Sequence, residues 1–531
     1  MPKSSGLLKK IRKVLGRYPD EYGVAPTSFY DGTDIARAST VSVVVTIQSV
    51  PDKLYFLLFG AICAQTKRRA PSRVEAVIVR AVSGAVGMGW IAELKRSACA
   101  AWFWTSPWVR AYGVLVQGVA YRCATWMHPV QDLSDWFKSK HLWQQLQRQG
   151  GTLSLKIGNI EVADLLVDSY LRFKPSPEFD VDDIFVRRLV WQALRDVRQA
   201  HAYFAKAKPR WYLTSYTTYL EHGIPARVAL AHGVTVWSFG NLSQFGKKLS
   251  VEDSFHTADF GGYRQVFEKL DCKSERLDAA REQLLIRLSG GIDAATSYMR
   301  QSAYGQSSVE MPRDLDGAVV IFLHDFYDSP HVYPALVFDD FWCWICFTIE
   351  VLQKVGVPFY LKPHPNQITL SDQVLERLRQ KYFNLKWVPA GTSNTQLAAA
   401  GMACGVTVYG TVAHELAYLG VPSIGCARHP HHAFDFCRTA ATREEYQEML
   451  ETYSERPISK EVMQRQALIF YYMHNLFGDG DSLALKQAFV ELWMACNMRK
   501  SSEAEVMSSF KALTKLPAFD RFVDRLWETS C

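Results

Sequence analysis

The chain has 531 residues, 48% hydrophobic, 13% aromatic and 21% charged, with a formal net charge of +7. That composition excludes a disordered, collagen-like or coiled-coil protein, and at about 150 residues per domain the length allows several domains with large cores. The 11 cysteines are odd in number and irregularly spaced, which excludes a disulfide framework and points to a reducing compartment.

Met1–Arg17 is basic but leads into neither an apolar signal core nor a small-residue cleavage site. The best apolar run, Leu54–Ala64, is bounded by Asp52, Lys53 and Lys67–Arg69 and is too short to span a bilayer. A cytoplasmic protein is expected. Residues 1–150 carry 20 Lys+Arg against 9 Asp+Glu, a net +11, whereas the remainder carries 40 against 44, a net −4. The basic part also holds seven tryptophans, from Trp90 to Trp143. Such a surface suits an anionic partner, either a membrane face or a polyanionic glycan. A solvated basic face over an aromatic core is the plainer alternative. Nucleic acid is not expected, because no helix-turn-helix, zinc-finger or RNA-recognition pattern is present.

In chain order, Val41–Ile47 is a β-branched strand, and Pro51 to about Trp143 has no clear period. From Thr152 the pattern clarifies: a strand at Leu153–Ile157, helices at Val162–Arg172 and Asp183–Lys206, a strand at Trp211–Thr214, a helix at Tyr219–His232 and a strand at Thr235–Ser238. Glu252–Arg313 is polar and mostly helical, and the turn-rich Gln306–Asp316 marks the main domain boundary. A second alternation follows. Strands are expected at Ala318–Leu323, Pro358–Lys362, Leu385–Val388, Gly405–Tyr409 and Pro422–Gly425, with helices at Phe338–Val355, Ser371–Lys381, Thr395–Gly401 and His414–Leu419 between them. Helices from about Arg443 close the chain. The expected division is therefore 1–150, a basic aromatic region within or beside the first domain; 151–315, a first α/β domain; 316–445, a second α/β domain; and 446–531, C-terminal helices.

Three stretches carry candidate chemistry. In V-T-V-Y-G-T-V-A-H-E-L-A-Y-L-G-V-P-S-I (Val406–Ile424) a strand runs through Gly410 and Thr411 into a helix. Gly410 permits close backbone approach, Thr411 can cap the helix, and the helix end can receive a phosphate while Glu415 accepts from ribose hydroxyls. An ordinary β-α-β turn uses the same residue types. In F-Y-L-K-P-H-P-N-Q (Phe359–Gln367) a strand end delivers Lys362, His364 and Asn366 into a loop stiffened by two prolines, a set suited to phosphate. In L-H-D-F-Y-D-S-P-H (Leu323–His331), His324, Asp325, Asp328 and His331 crowd together; a metal site is the less favoured reading, lining of the cleft the more favoured. Cys343-Trp-Ile-Cys346 sits mid-helix and reads as packing, while His429-Pro-His431-His432 either faces the cleft or forms a surface loop.

The blocks H-D-F-Y-D-S-P-H, F-D-D-F-W-C-W, L-K-P-H-P-N and V-Y-G-T-V-A-H-E-L-A-Y-L-G-V-P-S-I resemble those of bacterial capsule and surface-polysaccharide glycosyltransferases of the GT-B fold. I-G-N-I-E-V-A-D-L-L-V-D-S-Y-L-R (Ile157–Arg172) is similar to a G-D-L-x-Y-D-x-Y-x-R block of such proteins. The resemblance spans roughly residues 150–450, and the H-P and Gly-Ser/Thr elements are shared with sialyl-, Kdo- and polyol-phosphate transferases. It implies two Rossmann-like α/β domains facing a central cleft, with C-terminal helices. The implied donor-binding set is Lys362, His364, Asn366, Gly410, Thr411 and Glu415. The implied acceptor base is Asp164, with Asp168 and Glu161 as rivals because Ala163 stands where the family pattern has Gly; His324 joins the catalytic candidates. Asp164 and Asp168 share a helix face, so one carboxyl is expected to be pushed up. The alternative is a structural pairing with Arg172. The implied activity is transfer of a sugar from a nucleotide-sugar to a growing cell-surface polysaccharide, with inversion and without metal or cofactor, at the inner face of the membrane. The alternatives are a CDP-linked polyol-phosphate transferase, a non-catalytic glycan- or lipid-binding subunit, and a nucleotide-sugar epimerase of the same fold, which would need no acceptor.

Overall fold

The computed structural model describes residues 42–48, 52–79, 81–102, 107–116, 119–123, 128–149, 152–174, 176–257, 262–297, 312, 314–364, 369–455 and 458–528. The first sheet is built from β1 (Ser42–Gln48), β2 (Ser72–Ile78) and β3 (Val119–Cys123), which precede a small hairpin of β4 (Lys156–Ile157) and β5 (Ile160–Glu161), and from β6 (Trp211–Thr214), β7 (Thr235–Ser238) and β8 (Lys247–Lys248). Its order is β3-β2-β1-β6-β7-β8, parallel except for β8. The second sheet, of β9 (Val319–Phe322), β10 (Phe359–Lys362), β11 (Cys404–Val406), β12 (Ser423–Gly425) and β13 (Cys437–Thr439), is wholly parallel in the order β10-β9-β11-β12-β13. All four residues of β6 and of β9 are buried, as strands covered by helices on both faces must be. Two Rossmann-like units facing a central cleft form the GT-B arrangement that the resemblance implies.

Strands from both sides of residue 150 pair in the first sheet, β1 lying between β2 and β6. The apolar run at Leu54 belongs to a helix, Lys53–Arg69, that starts on an Asp52 cap and ends on three basic residues. Leu54–Cys63 is buried along its whole length, because the sheet lies on one side and the C-terminal helices Gly480–Asn497, Glu503–Thr514 and Pro517–Glu528 lie on the other. Phe489, Phe519 and Phe522 share its core. A helix buried all round shows no amphipathic period, so the sequence gives no helical signal there. No helix among the described residues is long and apolar enough to cross a membrane.

Two expected strands differ. Leu153–Ile157 is mostly irregular, its end entering the β4–β5 hairpin through Gly158 at φ +63°. Leu385–Val388 makes a single bridge, Leu361 to Trp387, at the outer edge of β10. The expected boundary at Gln306–Asp316 falls largely outside the described residues.

Candidate active site

In both sheets strand order reverses next to the first strand, and the crevice beyond the carboxyl ends at such a point is where open α/β sheets take ligands. In the second unit that point lies between β9 and β11. His324, two residues past β9, meets Thr407, the residue after β11, with Nε2 and Oγ1 3.1 Å apart. His324 also stacks on Phe341, with ring centroids 4.8 Å apart. Burial, reinforced by His364, pushes this imidazole down to about 3, so it is neutral at physiological pH. Thr407 Oγ1 further accepts the Gly410 N–H at 3.0 Å, and a Cβ at Gly410 would meet that oxygen at 2.7 Å. The close approach that calls for glycine here is thus to Thr407.

Lys362 closes β10 and is 3% exposed, its Nζ 5.7 Å from the Phe322 ring centroid. Burial lowers its ammonium to about 8, with Glu415 opposing. His364 follows in the partly buried loop, lowered by burial while Asp325 opposes. Asn366 lies outside the described residues.

Thr411 departs from the expected cap. Its φ and ψ of −61° and −13° are helical, and its side chain makes no cap hydrogen bond to the helix Val412–Leu419. The Ala413 and His414 N–H groups already bond the Gly410 and Thr411 carbonyls. Arg287 supplies a cation that the sequence reading missed. From the helix Lys273–Leu288 its Nη2 reaches Thr411 Oγ1 at 3.5 Å, and its Nε donates to Glu415 Oε1 at 2.5 Å. Asn394 Nδ2 donates to the other Glu415 oxygen at 2.6 Å. Glu415 is fully buried, so its carboxylate holds Arg287 and Asn394 in place and is closed to a ribose.

Across the cleft, Asp164 and Asp168 lie on the helix Ala163–Phe173, and neither pairs with Arg172. Asp164 is gripped by Arg227, whose Nη1 donates to Oδ1 at 2.7 Å and whose Nη2 reaches Oδ2. Burial alone would raise this carboxyl, but Arg227 outweighs it and holds the group below the usual value. A carboxylate held below its usual value by an ion pair is a weaker proton acceptor than a free one, so the expected base is engaged with Arg227. Asp168 is 1% exposed. Burial raises its carboxyl in spite of His331, whose Nδ1–H donates to Oδ1 at 2.8 Å. Burial would lower His331, yet the Asp168 carboxylate and, further off, Asp164 raise it above its ordinary value. The two aspartates are thus pushed apart, chiefly by Arg227 on Asp164 and by burial of Asp168, with the neighbouring Asp164 charge a lesser contribution to Asp168.

The four side chains of Leu323–His331 diverge. Asp325 takes the Ser371 hydroxyl at 2.8 Å and Asp328 the Ser329 N–H at 2.9 Å, while the two histidines turn to Thr407 and Asp168. Among the described residues no three ligating side chains converge on a metal-sized site. Tyr219, also missed by the sequence reading, stands just past β6 at φ +63° and ψ 155°, a conformation a bulky residue rarely takes. Burial pushes its phenol up to about 12, with the Asp168 carboxylate adding to the rise. Its only sequence signal is its place after a strand at the first sheet's reversal point. Cys343 and Cys346 pack in the helix Phe341–Val355, and burial pushes the Cys343 thiol up to about 12. His429 and His431 are 1% and 0% exposed, which removes the surface-loop alternative.

No protein-family model and no curated protein matches this chain. Among solved structures it is similar to a UDP-GlcNAc 2-epimerase from Neisseria meningitidis bound to UDP-GlcNAc, at 9% identity over 82% of this chain and 96% of that one, with a TM-score of 0.22. It is similar also to CalG4, the calicheamicin glycosyltransferase, at 9% identity over 87% and 100% with a TM-score of 0.25. Arabidopsis thaliana UGT89C1 complexed with UDP is similar at 10% identity over 89% and 100% with a TM-score of 0.23. Values this low carry nothing about the chemistry of this chain.

Proposed function

We propose that this protein is a glycosyltransferase that moves a sugar, with inversion, from a nucleotide-sugar donor to a hydroxyl of a growing capsule or other cell-surface polysaccharide. The observation that carries the reading is the buried Asp168–His331 pair, which joins the first unit to the loop that follows β9 in the second. The sequence blocks of the surface-polysaccharide transferases fall on these same loops and supply the substrate class.

In this reading the base is His331, backed by Asp168. The carboxylate fixes the proton on Nδ1, which leaves the Nε2 lone pair to take the acceptor hydroxyl proton. The acceptor oxygen then bonds to the anomeric carbon while the bond from that carbon to the donor phosphate oxygen breaks on the opposite face. The electron pair leaves with the nucleotide. Lys362, His364 and Arg287 stabilise the charge that gathers there. Those protein charges take the place a metal ion would have at the leaving phosphate.

The test is turnover of UDP-, GDP-, CMP- and CDP-linked donors, with and without EDTA, with the released product's anomeric configuration read by NMR. Turnover of one donor with inversion, unaffected by EDTA and lost in His331→Ala, supports the reading. Transfer of a polyol phosphate, epimerisation without an acceptor, or binding of a donor without turnover each replaces it.

A further inference from the structure

The helix Pro129–Gln147 packs Trp136, Leu142, Trp143 and Leu146 into the core but reverses the usual polarity over its first turns. It buries Asp132, Asp135 and Ser139 and exposes Val130, Leu133 and Phe137. The inward acids meet arginines of the helix Ile184–Ala207. Arg198 Nε donates to Asp135 at 2.9 Å, and its Nη2 donates to Asp132 at 2.7 Å. The fully buried Arg195 reaches Asp132 at 3.1 Å with one nitrogen and Glu93 at 2.8 Å with another. Glu93 belongs to the helix Trp90–Trp102, which likewise turns its acid inward and exposes Trp90, Ile91 and Leu94. Two neighbouring helices, pinned by one guanidinium, thus show solvent six large apolar side chains that are 53% to 79% exposed.

Charge identifies what covers them. Among the described residues neither helix exposes an acid, whereas Lys95, Lys138, Lys140 and His141 stand in the open beside the apolar positions. The first 150 residues as a whole carry a net charge of +11. A surface of tryptophan, phenylalanine and aliphatic side chains edged by lysines, with its acids withdrawn, matches the headgroup region of an anionic bilayer. We infer that the outer faces of the helices Trp90–Trp102 and Pro129–Gln147 dock the protein on an anionic phospholipid membrane. The apolar side chains enter the headgroup–acyl boundary and the lysines lie on lipid phosphates. This holds whichever donor the cleft takes.

The experiment is co-sedimentation of the full chain with vesicles of phosphatidylcholine alone and of equal parts phosphatidylcholine and phosphatidylglycerol. The chain should bind the anionic vesicles and not the neutral ones. A lysine beside an anionic surface is worth about fivefold in partition, so Lys138→Gln with Lys140→Gln should weaken binding by about 25-fold. Trp90→Ser with Phe137→Ser should weaken it at least as much. Both pairs are exposed, so each variant should melt with the wild type. Absence of binding by the wild type, or equal binding by wild type and both variants, overturns the inference. A wild-type dimer in light scattering that Trp90→Ser with Phe137→Ser converts to monomer also overturns it, since a second copy then covers the face.

Discussion

Asp168 of the first unit and His331 of the second meet across the cleft, carboxylate Oδ1 to imidazole Nδ1 at 2.8 Å, while Asp168 Oδ2 is buried without a hydrogen-bond partner. In the proposed reaction the proton acceptor is thereby assembled only when the two units are together. Losing a positioned base costs roughly 10²–10⁴-fold in rate, so His331→Ala should lower kcat by that range while donor affinity holds. His331 sits above its ordinary value of 6.5 because of the carboxylate, and it works deprotonated. The acidic limb of kcat/KM should therefore have its midpoint above pH 6.5, and Asp168→Asn should move that limb to lower pH. A limb unmoved by Asp168→Asn would separate the pair from the rate.

Asp164 should behave otherwise. Its side chain and that of Arg227 are 19% and 12% exposed, and Arg227 also donates to the Glu161 carbonyl at 2.7 Å. Removing one partner of a buried pair costs about 3–5 kcal/mol, so Asp164→Asn should lower the melting temperature clearly. Protein that remains folded should keep most of its kcat. A variant that melts with the wild type yet is inactive would restore Asp164 as the base.

Lys362 makes donor binding pH-dependent on the alkaline side. With its ammonium lowered by burial to about 8, it is charged below that pH and neutral above it. Donor affinity should be flat below pH 8 and weaken by up to about tenfold per unit above it. Lys362→Met should bind weakly at every pH and lose the slope, as calorimetric titrations at several pH values would show.

Acid should loosen the second unit through a nest of buried histidines behind the cleft. His429 and His431 have ring centroids 4.2 Å apart, and His414, His429, His431 and His474 all contact the Phe470 ring. Burial lowers His431 to about 3 and His474 to about 4. The unfolded chain binds these protons near pH 6.5 and the folded chain does not, so stability is complete above pH 6.5 and falls as pH drops toward 4. For His474 alone the loss is roughly 3 kcal/mol. Thermal melts from pH 8 to 4 should show the decline, and His474→Phe should flatten it.

The fold was legible from Thr152 onward, where short apolar or β-branched runs alternate with amphipathic helices. The helices Ala163–Phe173 and Ile184–Ala207 and the strands β6, β7 and β9 to β12 stand within a few residues of their expected ends, whereas β8 was not expected. The helix Lys53–Arg69 was not legible, because a segment buried on every side carries no period. At the site, loop positions were readable but pairings were not. Arg227 is 63 residues from Asp164, Arg287 is 128 from Glu415, and His331 is 163 from Asp168. Only the folded chain brings those partners together, tying Asp164 to Arg227 and Glu415 to Arg287 and setting His331 beside Asp168.

The central claim is that the carboxyl edge of the second sheet holds the phosphates of a nucleotide-linked donor. It is tested most directly by thermal shift with UDP-, GDP-, CMP- and CDP-linked donors on wild type and His364→Ala. A donor at 100 times its Kd adds about 2.7 kcal/mol to stability, which is readily seen. One donor should raise the melting temperature of the wild type and leave that of His364→Ala unmoved. A shift of the same size in both proteins, or none with any donor, would contradict the account.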